Sequence, residues 1–237
     1  MSSRVESLRL DWVSDRHLRV LFCAEGPDLA GGRLGQAARA IRDAGVAGLS
    51  SVTLAWNSLL VEFDPSMPDE ESATAAVRTV LSEAWASWND EAWRAVEIPA
   101  CFEGAFAPDV EAVAAHHGIP PSSLIEAFCA APFVVRFVGF CPGFAYLSGL
   151  PSALETPRLS TPRVRVPAGS VGIAGDQAGV YPLATPGGWR LIGRTPRVMF
   201  DARRNPPALL SPGDRVRFVP IRADEFHAFL QRTERHV

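Results

Sequence analysis

The sequence predicts an α+β protein with two domains, a ferredoxin-like α/β domain followed by a domain made mostly of short β-strands. Two observations support this prediction. The 237-residue chain is long enough for two compact domains. Only 3 of the 20 prolines and 6 of the 19 glycines precede Ile98, so long periodic segments give way to segments broken by turns. We therefore expect the domains to cover residues 1–97 and 98–237.

The first domain is predicted from apolar residues that switch between alternating and helical spacing. Alternation indicates strands, and apolar residues three or four apart indicate helices. The predicted elements, in order, are a strand over residues 18–22, a helix over 34–41, strands over 52–56 and 59–63 that meet at Asn57-Ser58, a helix over 69–88 and a strand over 96–98. This β-α-β-β-α-β order is typical of a ferredoxin-like fold.

The second domain opens with two short predicted helices, over residues 109–116 and 123–128. Gly118 is placed to end the first helix, and Ser123 with Glu126 forms a capping box that starts the second. The pair resembles a helix-turn-helix, but its second helix carries Glu126 and no arginine. We therefore expect no binding of nucleic acid.

Short strands separated by glycine and proline occupy the rest of the chain. Because no long helix intervenes, the pattern favours a closed barrel or a sandwich. The predicted strands cover residues 133–140, 164–166, 171–174, 179–181, 189–193, 197–200 and 216–221, and a last helix covers 224–235.

The composition excludes several kinds of chemistry. All 23 basic residues are arginine, so the chain lacks the lysine that a P-loop, a protein kinase, a Schiff base or a biotin carrier requires. The four cysteines, Cys23, Cys101, Cys129 and Cys141, form no C-x-x-C pair. We expect reduced thiols and no metal site.

Charge and hydropathy predict the surroundings of the protein. A net charge of −3 gives no general attraction to nucleic acid or to an anionic membrane. The first ten residues contain no apolar h-region, and no later run is long enough to span a bilayer. We expect a soluble cytoplasmic protein.

The segment from Arg136 to Arg197 is strongly basic. It contains seven arginines but only two acidic residues, which gives it a formal charge of +5. Guanidinium groups match carboxylates and phosphates, so a small anion is the expected ligand.

Six of these arginines fall into two groups. Arg165, Arg190 and Arg197 alternate with apolar neighbours and are expected to face water. The others lie beside prolines and glycines, where a stiff loop holds a side chain at a low entropic cost, and for them contact with a ligand and exposure to water are both open. These three are Arg158, Arg163 and Arg194.

Two glycine-rich runs are further candidates. The run from Gly139 to Leu147 either walls a ligand pocket or forms a turn whose rings fill the barrel mouth. Cys141 within it has no histidine nearby, so we expect an inert thiol. The run from Pro167 to Tyr181 forms either a nest of backbone amides for an oxyanion or tight corners of the barrel.

Catalytic pairs are missing from the same region. All five histidines lie outside residues 136–222. Sequence neighbours therefore form no Ser-His-Asp or Cys-His site, although the fold can bring His116 or His117 close. If the protein is an enzyme, part of its machinery is expected on another chain.

Several runs carry a recognisable pattern, above all Gly139 to Leu147, Pro157 to Arg163, Val166 to Gly175, Pro186 to Trp189 and Leu191 to Pro196. With these runs, residues 133–221 resemble the KipI-like family. This family includes the B subunit of bacterial 5-oxoprolinase (PxpB), allophanate hydrolase subunit 1 and the matching part of urea carboxylase.

The resemblance implies a ferredoxin-like domain joined to a C-terminal cyclophilin-like β-barrel. It implies pairing with a homologous barrel protein, the C subunit (KipA/PxpC-like), and with a third component, the A subunit. In the oxoprolinase, the complex is expected to use ATP to open the lactam 5-oxoproline to glutamate. The chain is then not expected to be active alone.

Three hypotheses for the function follow. The chain is a subunit of such a hydrolase, or an inhibitor of a histidine kinase like KipI, or a module of allophanate hydrolase or urea carboxylase. In the first, arginines anchor a carboxylate or phosphate, neutral side chains orient the amide, and backbone amides stabilise developing negative charge. The candidate residues are Arg158, Arg163 and Arg194 as anchors, Tyr146, Gln177 and Tyr181 around the amide, and Gly169 and Ser170 as amide donors.

Overall fold

The computed structural model describes residues 8–22, 27–66, 69–86 and 94–234. Contacts between residues divide the chain into two compact units, Met1–Trp93 and Arg94–Val237. The division falls between Trp93 and Arg94. Within the described residues, no helix combines the length and the apolar character that a membrane crossing requires.

The first unit is a four-stranded antiparallel sheet packed against two helices. Leu18, Val20 and Val61 are fully buried, so alternate residues of two strands build the core together with both helices. The sheet order is β1-β2-β4-β3. The elements are β1 (Leu8–Ser14), β2 (His17–Phe22), α1 (Pro27–Asp43), β3 (Leu49–Leu54), β4 (Ser58–Phe63) and α2 (Glu70–Ala86).

The order of elements in this unit corrects the prediction. The structure shows β-β-α-β-β-α, because β1 occupies the sheet edge beside β2 and the predicted strand over 96–98 belongs to the second unit. Strand β1 was missed although Leu8, Leu10 and Trp12 alternate with Arg9 and Asp11, which is the pattern of a half-buried strand. The ferredoxin-like layering is kept, with a fourth strand that comes from the other end of the unit. Cys23, His236 and the predicted helix end at residues 87–88 lie outside the described residues.

The second unit is built on a seven-stranded sheet of order β12-β9-β10-β7-β6-β13-β5. Strands β8 and β11, which are separated along the chain by β9 and β10, pair antiparallel in a second, two-stranded sheet. The elements are β5 (Ala95–Ala100), α3 (Val110–His117), α4 (Pro121–Ala130), β6 (Phe133–Val138), β7 (Ala145–Ser148), β8 (Arg163–Val166), β9 (Ser170–Ala174), β10 (Gln177–Val180), β11 (Thr185–Gly187), β12 (Arg190–Arg194), β13 (Arg215–Pro220) and α5 (Ala223–Glu234).

The two edges of the large sheet meet and close it into a barrel. Cys101, directly after β5, donates its N–H to the carbonyl of Arg194 at 2.8 Å, and Arg194 donates to the carbonyl of Cys101 at 2.9 Å. Closure removes the exposed edges that an open sheet would present.

The inside of the barrel is a packed hydrophobic core. Leu147, Ile173 and Val180 point into it and are fully buried, and α4 adds Phe128 to the same core. Because successive side chains of a strand point to opposite faces, the residues that alternate with these lie on the outer face of the sheet.

The two short helices follow the prediction in part. Helix α3 ends at Gly118, whose φ of +65° is the left-handed conformation that favours glycine. The predicted capping box of Ser123 and Glu126 is wrong, since α4 begins at Pro121 and no side chain caps it. Proline suits this first position because its fixed φ is already helical and its missing N–H is not needed there.

Three strand assignments also differ. The predicted strand over 197–200 is wrong, since only Phe200 pairs, in an isolated bridge with Ala208. Strands β7 and β11 were not predicted, because β7 overlaps the glycine-rich run from Gly139 to Leu147 and β11 contains Pro186. The other strands and the last helix lie within a few residues of their predicted positions.

Candidate functional site

Six aromatic rings form a continuous group on the outer face of the barrel sheet. The ring centroid of Phe144 lies 4.8 Å from that of Tyr146, 5.1 Å from Tyr181 and 5.4 Å from Trp189. Tyr146 stacks on Phe137 at 4.3 Å. Tyr146 alternates along β7 with residues of the barrel core, which places the rings outside the barrel. We call this group the aromatic cluster: Phe137, Phe140, Phe144, Tyr146, Tyr181 and Trp189.

Two glycines allow these rings to lie directly on the sheet. Gly172 on β9 and Gly179 on β10 are paired with each other across the strands. A Cβ atom on Gly179 would lie 3.0 Å from the ring of Phe144 and 3.1 Å from that of Trp189, closer than packed carbon atoms normally approach. The strand glycines of this motif therefore make room for aromatic rings.

Arg158 places a positive charge beside the aromatic cluster. Its side chain is exposed, and its guanidinium carbon lies 6.0 Å from the centroid of the Trp189 ring. Burial raises the pKa of the Tyr146 hydroxyl above its ordinary value, and the charge of Arg158 opposes this rise. The hydroxyl of Tyr146 therefore stays protonated at neutral pH and can donate a hydrogen bond. Among the described residues, no acidic side chain forms an ion pair with Arg158.

The segment that carries Arg158 is fastened on both sides. Its neighbours bond to the β9–β10 turn, to β12 and to the loop before β12, so the arginine extends from a fixed backbone, as its prolines predict. The bonds run from Gly175 N to Thr156 O at 2.8 Å, from Arg190 Nε to Pro157 O at 3.2 Å and from Leu159 N to Gly188 O at 2.7 Å.

Gln177 lies on the same face as Tyr146. It is the half-buried first residue of β10, two residues before Gly179, which is the direct partner of Tyr146 on β7. Such diagonal neighbours lie about 7 Å apart, within reach of long side chains. Of the predicted site, the structure therefore places Arg158 beside Tyr146, and Gln177 on the same face of the sheet as Tyr146.

Arg163 is committed to an internal ion pair. Its Nη2 donates to Asp109 Oδ1 at 2.7 Å, and Asp109 Oδ2 also accepts from the backbone N–H of Leu191 at 2.6 Å. The Asp109 side chain is only 8% exposed and that of Arg163 28%. The pair joins the start of α3 to β8 and β12, so in this structure Arg163 supports the site from within.

Tyr181 lies beneath the site. Burial raises the pKa of its hydroxyl, while the N–H of Trp189, which donates to that oxygen, and the charges of Arg158 and Arg163 oppose the rise. Because the residue is only 2% exposed, it forms the base of the aromatic cluster and has little surface for a ligand.

The backbone amides of Gly169 and Ser170 donate within the chain. Gly169 N donates to Tyr181 O at 2.7 Å, and Ser170 N to Pro167 O at 3.3 Å. Gly169 has a φ of +82°, and a Cβ there would lie 2.3 Å from the carbonyl oxygen of Thr195. The run was predicted to form either a nest of amides for an oxyanion or a tight corner, and at Gly169 the structure shows the tight corner. The N–H groups of Gly169 and Ser170 already donate to carbonyl oxygens of this chain.

Arg194 lies at the far end of β12 from Trp189. Five residues of strand separate the two ends by about 13 Å. The side chain of Arg194 packs on the ring of Phe226 and donates from Nε to Ala168 O at 2.9 Å. It is therefore outside the group formed by Arg158, Tyr146 and Gln177.

Two supporting residues were not predicted from the sequence. Asp109 is 54 residues from Arg163, and no local pattern links them. Arg190 was expected to face water but is half-buried and holds Pro157. His117 was left open, and the fold brings its Nε2 within 3.0 Å of Thr156 Oγ1, next to the segment of Arg158.

The loop before β7 exposes one ring of the aromatic cluster. Phe140 is 64% exposed and has a φ of +67°, a conformation that costs a non-glycine residue about 1 kcal/mol. Next to it, Cys141 packs on the cluster, and burial raises the pKa of its thiol. Cys141 is thus a poor nucleophile at neutral pH, in line with the predicted inert thiol.

The family model of the carboxyltransferase domain, subdomain C and D, matches residues 8–210. The chain belongs to this family. Three relatives, each named as the B subunit of 5-oxoprolinase, confirm the resemblance found in the loops. The Escherichia coli O157:H7 protein is 56% identical over 127 residues, which are 54% of this chain and 58% of that protein. The Haemophilus influenzae protein is 38% identical over 174 residues, 73% of this chain and 77% of that protein.

The matched part does not span these relatives in full. For the 5-oxoprolinase B subunit of Bacillus subtilis, which is 48% identical over 140 residues, it covers 59% of this chain and 58% of the relative. The chain thus spans less than two thirds of the length of the E. coli and B. subtilis relatives.

Solved structures confirm the predicted fold. TTHA0988 superposes with a TM-score of 0.73 at 33% identity, over 88% of this chain and 40% of that one. PH0987 of Pyrococcus horikoshii gives 0.55 at 36% identity, over 92% of this chain and all of that one. Kluyveromyces lactis urea carboxylase superposes with a TM-score of 0.72 at 21% identity, over 94% of this chain and 22% of that one. It therefore shares the fold.

Proposed function

We propose that the chain is a subunit of an ATP-dependent amide hydrolase, in which it binds 5-oxoproline for opening to glutamate. The observation that carries this proposal is that Arg158 and Tyr146 lie together at the aromatic cluster, with Gln177 on the same face of the sheet as Tyr146. 5-Oxoproline joins a carboxylate to a lactam, and these side chains supply one fixed cation and two neutral hydrogen-bonding groups. The relatives named as 5-oxoprolinase B subunits support this substrate over other small acids.

Each residue has a distinct role in the proposed complex. Arg158 binds the carboxylate of the substrate, because its guanidinium forms no ion pair with an acidic residue described in the structure. The protonated hydroxyl of Tyr146 donates to the lactam carbonyl oxygen, where negative charge grows when the ring opens. Gln177 accepts from the lactam N–H, and the rings of Tyr146 and Trp189 cover the apolar edge of the substrate.

The catalytic group that activates water is expected on another chain. Asp109 is engaged with Arg163, and His117 is engaged with Thr156. We propose that the homologous C subunit completes the site and that an A subunit belongs to the same complex. The ring of Phe140, exposed at the edge of the aromatic cluster, supports contact with a second chain. ATP is proposed to be hydrolysed by the complex, and no residue of this chain is assigned to it.

The test is turnover by the reconstituted complex. The full chain is co-purified with its A and C partners, and glutamate release from 5-oxoproline is measured with and without ATP. We expect ATP-dependent release by the complex and none by the chain alone. An intact, verified complex that fails to release glutamate contradicts the substrate assignment.

The same assay separates the alternatives. Allophanate is supplied as a second substrate, since it also carries a carboxylate next to an amide. Turnover of allophanate but not of 5-oxoproline supports a module of allophanate hydrolase or urea carboxylase. No turnover of either substrate, together with inhibition of histidine kinase autophosphorylation, supports the KipI-like inhibitor.

A further inference from the structure

Arg194 occupies a fixed position at the seam of the barrel. It is the last residue of β12, and its backbone exchanges two hydrogen bonds with Cys101 where the sheet closes. The next residue, Thr195, donates its N–H to Gly169 O at 2.9 Å. The backbone around Arg194 is therefore held on two sides.

The guanidinium of Arg194 is also held in place. Nε donates to Ala168 O at 2.9 Å, and the guanidinium carbon lies 5.8 Å from the centroid of the Phe226 ring on α5. The ring of Phe106 packs on Phe226 at a centroid distance of 4.4 Å. With Nε engaged and one face against an aromatic ring, Nη1 and Nη2 are left to meet a further group.

The partly covered arginines of this chain differ in whether they pair with a carboxylate, and half-buried Arg190, like Arg194, is seen to donate only to a backbone carbonyl. Arg163 pairs with Asp109 and Arg94 pairs with Asp214, and both of these carboxylates are nearly buried. Arg194 is half-buried, yet within the described part of the chain it contacts no carboxylate. Burial lowers the pKa of Arg194, and no acidic group opposes that effect. A partly desolvated cation without a counter-charge is costly, and an oxyanion that reaches Nη1 and Nη2 would offset the cost.

This position is separate from the proposed substrate site. Arg158 packs on Trp189, just before the first residue of β12, whereas Arg194 is the last residue of that strand. About 13 Å of strand lies between the two ends. The two guanidinium groups pack on different rings, that of Arg158 on Trp189 and that of Arg194 on Phe226.

We propose that Arg194, beside Phe106 and Phe226, forms a second site that binds the oxyanion of a small molecule, either a carboxylate or a phosphate. The guanidinium contributes Nη1 and Nη2 to the oxyanion, and the aromatic pair borders the rest of the ligand. The proposal does not depend on the function proposed for Arg158.

The test compares anion binding by full-length variants. Inorganic phosphate and glutamate are titrated separately by isothermal calorimetry into the wild type, Arg194→Gln, Arg197→Gln and Arg158→Ala. Glutamine at 194 keeps a donor near Ala168 O and removes the charge, and Arg197 is the matched control because it is an exposed arginine three residues away. Circular dichroism and the Tm of each variant establish that it is folded.

We expect at least one of the two anions to bind the wild type, with a Kd at least tenfold weaker in Arg194→Gln and less than twofold changed in Arg197→Gln. Arg158→Ala identifies any glutamate that binds at the proposed substrate site, because only that binding should be lost in this variant. Tighter phosphate than glutamate identifies a phosphate site, and the reverse identifies a carboxylate site. Equal binding by the wild type and a folded Arg194→Gln overturns the proposal. The proposal is also overturned if the wild type binds neither anion and Arg194→Gln no longer assembles into the complex. That result would mean that Arg194 pairs with an acidic residue of a partner chain. If Arg194→Gln does not fold, Arg194→Lys replaces it, and unchanged affinity for both anions in that variant counts against the two-nitrogen contact.

Discussion

The inner and outer faces of the barrel sheet are made from the same strands but carry different kinds of residue. On β9 and β10, Ile173 and Val180 fill the interior, while the alternating positions Gly172 and Gly179 carry aromatic rings on the outside. The inner face is closed to ligands, and the outer face presents an uncommitted arginine and neutral hydroxyl and amide groups. If the proposed site is correct, the inner face serves stability and the outer face serves binding, so substitutions on the two faces should affect different measurements.

The largest effect is expected from truncation on the inner face. Ile173→Ala removes a fully buried side chain from a packed core and should cost about 3 kcal/mol of unfolding free energy. For a chain of this size, the Tm should fall by roughly 10 °C. Turnover per folded complex should stay close to that of the wild type. Ile173→Val, expected to cost about 1 kcal/mol, is the graded control, and a specific loss of turnover without loss of stability would contradict the division between the faces.

A substitution at the outer-face glycine should affect both properties. Gly179→Val places carbon atoms where the rings of Phe144 and Trp189 now lie and should cost about 2 kcal/mol through overpacking. Because the displaced rings also border the proposed site, turnover should fall together with the Tm. Gly188→Ala is the control, since a Cβ there meets its nearest neighbours at 3.6 Å or more. An unchanged Tm in Gly179→Val would mean that the packing of the rings does not depend on the absence of a side chain at residue 179.

Removal of the outer-face cation should affect activity alone. Arg158→Ala should lower ATP-dependent glutamate release at least tenfold, which corresponds to about 1.4 kcal/mol of transition-state stabilisation. The Tm should change by less than about 1 °C, because an exposed side chain with no ion pair contributes little to stability. Arg165→Ala removes an exposed arginine from β8 and should change neither quantity. Equal losses of activity and Tm in Arg158→Ala would make the residue structural.

The smallest effect is expected from removal of a single hydroxyl. Tyr146→Phe keeps the ring that stacks on Phe137 and removes a donor to the substrate, so kcat/KM should fall about fivefold, near 1 kcal/mol. Stability should be unchanged or slightly higher, because the raised pKa of Tyr146 reflects the burial of its polar group. Steady-state kinetics of the intact complex test this. Unaltered kcat/KM would remove Tyr146 from the site.

Most elements could be predicted from local patterns, and most errors concern contacts that are distant in sequence. Alternation located β2, β4 and β9, and Gly118 located the end of α3. Strand β1 was missed although its residues from Leu8 to Trp12 alternate, and the closure of Cys101 on Arg194 joins segments whose local sequences carry no sign of it.

The candidate site shows the same limit. The stiff loop around Arg158 could be predicted from its prolines, and hydrogen bonds hold it on both sides of the arginine. The same argument applied to Arg163 could not foresee that Asp109, far upstream, takes its charge. The availability of an arginine depends on where the acidic residues fold, and composition alone showed only that such residues are few in this region.

Binding of the substrate on the outer face of the barrel would be tested most sharply by a structure of the complete complex with 5-oxoproline bound. We expect the substrate carboxylate within about 3 Å of the Arg158 guanidinium, with its ring against Tyr146 and Trp189 on the outside of the barrel. A substrate bound elsewhere in the complex, with Arg158 directed into solvent, would contradict the proposed site.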